Sequence, residues 1–166
     1  MNRAAYAAAT WALVFAAMSF FWALGGTLGL DTLGTELERD ARAREPDTIA
    51  LVWVTGLLKV AGAVVALALV QPWGRRLPRR LLAIAAWAVG LGLLAYALAN
   101  FVQHGLMKAG AIDTPDALGT SAATWHLAFW DPFWLLGGVL FTTAAWQYGR
   151  VARASRVASA RSGPPR

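Results

Sequence analysis

Four stretches of this chain, residues 5–26, 48–70, 81–102 and 123–148, hold only two charged side chains between them, Lys59 and Asp131. Each is long enough to cross the roughly 30 Å hydrocarbon core of a bilayer as a helix, which takes about 20 apolar residues. A water-soluble helix of that length would carry a polar face. Hydrophobic residues make up 58% of the chain and charged residues 14%, against roughly 25% charged in soluble domains. The segregation follows from the cost of leaving a charge in lipid. The expected fold is therefore all-α, an integral membrane four-helix bundle over residues 1–149, with the bilayer itself as its first partner.

The polar segments set the threading. Residues 31–47 form a charged connection in which Thr35 and Glu38 have capping-box spacing, so a short surface helix is predicted there. Pro46 and Asp47 mark the start of the second span. Pro115 marks another short helix in the loop at 105–122. Ten basic residues fall at Arg3, in the loop Arg75–Arg80 and in the arginine-rich stretch 150–166, against four (Arg39, Arg42, Arg44, Lys108) in the two opposite loops. The positive-inside rule then puts both termini in the cytoplasm. Residues 150–166 are read as a disordered tail. The first apolar stretch exceeds the 7–15 residues, roughly, of a signal-peptide core, so it is read as an uncleaved anchor although Ala23-Leu24-Gly25 imitates a cleavage site. Arginine outnumbers lysine and alanine and glycine are frequent, as in GC-rich bacterial genomes; the expected location is the bacterial plasma (inner) membrane, multi-pass.

With no cysteine, disulfides, thiolate metal sites and CxxC redox chemistry are excluded. The net charge of +6 flanks the apolar spans instead of lining one face, so no nucleic-acid partner is expected.

Lys59 falls near the middle of its span, on a stripe with Thr55, Gly56, Ala63 and Ala66. Small residues at that spacing mark a face packed on other helices, so Lys59 is predicted to look inward and to need a partner. Asp131 is the candidate. It precedes Pro132 and is read as the N-cap of a helix starting there. The pair has a structural reading, a packing ion pair, and a functional one, the heart of a binding or catalytic site.

Trp22, Trp130 and Trp134, with Ser19, Tyr96, Asn100 and His126, could line a pocket beside these charges. The nine tryptophans also fit aromatic belts at the two interfaces. His104 and His126 lie 22 residues apart with no ligand motif, and are read as interfacial, water-satisfied histidines. No haem, metal or other cofactor is expected from them.

Three segments carry a resemblance: Phe21-Trp22-Ala23-Leu24-Gly25-Gly26-Thr27, Gln71-Pro72-Trp73-Gly74-Arg75, and Trp130-Asp131-Pro132-Phe133-Trp134-Leu135-Leu136-Gly137-Gly138. They resemble the small bacterial four-helix membrane family catalogued as domain of unknown function 3995, over nearly the whole span region apart from the acidic loop and tail. The resemblance implies fold and topology and brings no activity. The leading functional reading is a non-enzymatic protein with an outward-facing polar and aromatic cavity for a small amphiphile or a partner helix. Alternatives are an intramembrane enzyme on a lipid-like substrate, with Asp131 as acid or base tuned by Lys59, and an accessory subunit with purely structural charges.

Overall fold

The computed structural model describes residues 3–161, with side chains from residue 3 to residue 150. All of its regular structure is helical: α1 (Arg3–Ala23), α2 (Thr35–Ala43), α3 (Pro46–Ala68), α4 (Arg79–Lys108), α5 (Thr120–Trp125) and α6 (Asp131–Arg161). A π turn over His126–Trp130 welds α5 to α6. Four helices, the last being the α5–α6 unit, are long and apolar enough to cross a membrane.

Their packing order is α3, α1, α6, α4. Helix α1 lies along α3, α6 lies along α4, and α1 meets α6 in the centre, while α3 and α4 barely touch. Small residues set the close contacts. Ala8, Ala12 and Ala16 of α1 and Gly56, Ala63 and Ala66 of α3 are buried, as the stripe around Lys59 predicts. A methyl group on Gly138 would come within 2.8 Å of Leu94, and one on Gly90 within 2.7 Å of the Thr142 backbone. The exterior is branched and apolar: Val14, Leu57, Leu58, Ile84 and Leu91 are all exposed. Small residues inside and large aliphatics outside suit lipid, where close backbone approach drives association and lipid-exposed leucine carries no penalty.

Several boundaries differ from expectation. Helix α4 continues past residue 102 to Lys108, because Asn100, Gln103 and His104 are compatible with a helix once one of them has a buried partner. The acidic-loop helix forms, but its N-cap is Gly34 with no side-chain cap, so the capping box is not made. Instead the Thr35 and Glu36 amides bond the Leu118 and Ala117 carbonyls at 3.2 and 3.0 Å. Pro115 opens a turn closed by the Leu118 and Gly119 amides, not a helix, since those bonds end the segment at Gly119. Helix α6 runs on to Arg161, through most of the stretch read as a tail; alanine and arginine are strong helix formers. The remainder of that stretch, 162–166, lies outside the described residues.

Candidate functional site

The open seam between α3 and α4 leads to two adjoining cavities. The wider one, about 610 Å³, has Leu58, Gly62 and Val65 of α3 on one side and Val89 and Leu93 of α4 on the other, over a floor that includes Trp11 and Phe141. The second, about 270 Å³, is a chamber walled by Phe15, Ser19, Trp22, Trp130 and His126 and roofed by Leu30, Leu33, Leu37 and Ala41. Thr55, Lys59, Tyr96 and Trp134 line both, so the two spaces meet at Lys59.

The chamber follows from local sequence. Gly29 and Gly34 take left-handed backbone angles, φ 78° and 137°, which glycine adopts without steric cost. They fold residues 29–34 back over the helix ends. Three indoles then lock the frame. Trp22 Nε1 donates to the Leu28 carbonyl at 2.8 Å, Trp130 Nε1 to Thr32 Oγ1 at 3.0 Å, and Trp11 Nε1 to the Phe133 carbonyl at 3.0 Å. These three tryptophans are buried. They are core residues and not belt residues, because each indole N–H finds a partner inside the protein.

Lys59 and Asp131 do not pair. Lys59 Nζ donates to Ser19 Oγ at 2.9 Å and lies 4.2 Å from the centre of the Phe15 ring. A cation–π contact of this kind supplies part of what water would have given the ammonium. Among the described residues no carboxylate lies within 4.0 Å of it. Ser19 Oγ is held in turn by the Phe15 carbonyl at 3.3 Å.

Asp131 is 1% exposed and accepts a 2.7 Å hydrogen bond from His104 Nδ1. It is not an N-cap. The helical path passes straight through it, and its amide bonds the His126 carbonyl five residues back. The cause is Pro132, which lacks an N–H and whose ring collides with the carbonyl four residues earlier, that of Ala128. Widening one turn to the i→i+5 pattern relieves the clash. The wider turn also brings His126 and Asp131 onto one face.

The histidines are correspondingly not a pair of water-satisfied interfacial residues. His104 is buried at 6% exposure, its ring centre 4.9 Å from that of His126. His126 Nε2 donates to the Leu33 carbonyl at 3.1 Å.

Of the residues singled out from sequence, Lys59, Ser19, Trp22, Tyr96, His126, Trp130 and Trp134 share the chamber wall. Asn100 stays on its own helix, where Nδ2 donates to the Tyr96 carbonyl at 2.8 Å. Asp131 lies behind the chamber with His104. Phe15 and the roof residues escaped the sequence reading. Phe15 stands one turn before Ser19, a spacing that matches many apolar pairs, and the roof depends on glycine angles that no local pattern announces.

A family described as protein of unknown function (DUF3995) matches residues 12–141, a range that runs through the acidic loop as well as the spans. No curated protein and no solved structure matches the chain.

Proposed function

The chain belongs to the DUF3995 family, and from that premise we propose that it is a non-enzymatic protein of the bacterial inner membrane that binds a small amphiphile with an acidic head. The tail of the ligand enters sideways through the α3–α4 seam, and its head group meets Lys59. The basic loop and the C-terminal end face the cytoplasm, so the chamber opens in the outer half of the bilayer.

One observation carries this reading: an ammonium group that has no carboxylate partner among the described residues stands where an open apolar cleft meets an aromatic chamber. Ser19 and the Phe15 ring solvate the cation but do not neutralise it. An anion arriving from the seam does. Cavities of several hundred Å³ with apolar walls and a few polar groups are the usual shape of small-molecule sites. A partner helix, about 10 Å across, can lie over the seam but cannot reach into the chamber. Asp131 is the natural acid or base for an intramembrane reaction, and it does not line either cavity, which favours binding over chemistry.

The test compares a long-chain carboxylate, oleate, with oleyl alcohol on the detergent-solubilised protein, read by tryptophan fluorescence or calorimetry. A charge-assisted hydrogen bond contributes about 1.5–3 kcal/mol, so oleate should bind at least about tenfold more tightly. Lys59→Met should erase that preference while leaving the alcohol unaffected. Equal binding of the two by the unaltered protein contradicts the proposal.

A further inference from the structure

The cluster of His126, on the chamber wall, with His104 and Asp131 behind it is not needed by the amphiphile. A carboxylate 1% exposed sits in a helix that is apolar enough to span a bilayer. Among the described residues its single charge-bearing neighbour within 4.0 Å is an imidazole. A neutral imidazole bonds such a carboxylate without neutralising it, and an isolated buried charge is costly.

The proton positions follow from the partners. A carbonyl only accepts, so His126 carries its proton on Nε2, facing Leu33, and presents Nδ1 as a lone pair. A carboxylate only accepts, so with no ion bound His104 carries its proton on Nδ1, facing Asp131. Among the described residues no buried side-chain nitrogen or oxygen lacks a partner. The His126 Nδ1 lone pair therefore borders space that a water molecule or an ion can enter. His126 is held from behind by the Leu33 carbonyl, the outer-shell arrangement that orients a metal-bound histidine. His104 Nδ1 and Asp131 Oδ2 already stand side by side at 2.7 Å, so an ion placed between them takes the position of the Nδ1 proton, which moves to Nε2. One donor atom from each of His104, His126 and Asp131 lies within 4.8 Å of the others.

We propose that His104, His126 and Asp131 bind a divalent transition-metal ion of the zinc class. Two imidazoles and a carboxylate are a donor set that zinc accepts, and the ion supplies the positive charge that Asp131 otherwise lacks. Donors sharing one tetrahedral zinc at about 2.0–2.1 Å stand about 3.3 Å apart. Closing the site therefore draws His126 toward the other two. Its tether is the Leu33 carbonyl, in the segment that roofs the chamber, so metal binding also fixes the roof.

The experiment uses the full chain in detergent with any affinity tag removed, stripped with a chelator and then titrated with zinc or cobalt(II). The expected result is one equivalent bound per chain with micromolar or tighter affinity, and a zinc-edge X-ray absorption spectrum showing two imidazoles in the first shell. Zinc should raise the unfolding temperature of the unaltered protein and not that of His126→Gln. Uptake well below one equivalent overturns the proposal. So does a first shell with fewer than two imidazoles, or equal uptake by His126→Gln. Metal content and spectrum are read without any amphiphile, so this outcome is independent of the oleate measurement.

Discussion

His126 and Asp131 are five residues apart in sequence and face the same way, because the Asp131 amide bonds the His126 carbonyl across a π turn. That turn decides which side chains the last span presents to the chamber and which it presents to His104. It also explains why a proline within a span that crosses the bundle is tolerated: the missing N–H and the steric clash are absorbed where the turn is already wide.

Deleting Ala128, a small exposed residue inside the turn, should convert it to an ordinary α turn. His126 and Asp131 then stand four apart, still on one face. The ordinary turn brings the Pro132 ring back against the carbonyl four residues earlier, so the deletion should cost about 3 kcal/mol, and combining it with Pro132→Ala should recover most of that loss. Deleting Ala144, buried in the regular helix, rotates everything beyond it and should abolish folding. Thermal unfolding in detergent reads all three variants; failure of Pro132→Ala to rescue the Ala128 deletion would mean that the proline is not what widens the turn.

The His104–Asp131 bond predicts a particular pattern of non-additivity. Removing one partner leaves the other buried without its hydrogen bond, a loss of about 1–3 kcal/mol and more where the carboxylate is the group left. His104→Leu and Asp131→Leu should each destabilise strongly. The double variant should be closer to the unaltered protein than either single one, since two apolar side chains replace two polar ones together. A double-mutant cycle on unfolding temperatures checks this; simple additivity would contradict it.

The threading can be read without any ligand. The chain has no cysteine, so single cysteines report cleanly. Arg42→Cys in α2 should react with an impermeant maleimide added to intact spheroplasts, and Arg76→Cys in the basic loop should react only after permeabilisation. Labelling of both from the same side would overturn the orientation drawn from the arginine bias.

The four spans were legible because lipid enforces a composition over every stretch of about 20 residues, and that constraint is local in sequence. The inward direction of Lys59 was legible too, from the small residues three and four positions away. Its partner was not. Lys59 meets Ser19 and Phe15 of α1, and nothing in either segment marks the other. The assignment of Asp131 to Lys59 rested on their being the two charges in the spans, and it overlooked histidine as a partner because His104 was placed beyond the end of its helix. Extending α4 by a turn and a half moves His104 inside the bundle, opposite Asp131. The roof was hidden for another reason: residues 29–34 are positioned by two left-handed glycines and by indoles far along the chain. Such contacts are fixed by tertiary packing and leave no periodic trace.

The most direct test of the central claim is native mass spectrometry of the protein extracted from its own membranes in mild detergent. The account predicts that the unaltered chain carries one tightly held acidic amphiphile, retained under conditions that strip bulk phospholipid, and that Lys59→Met emerges without it. An unaltered chain that flies bare, or a Lys59→Met chain that keeps the same adduct, would show that the uncompensated ammonium at the meeting of cleft and chamber is not a binding site.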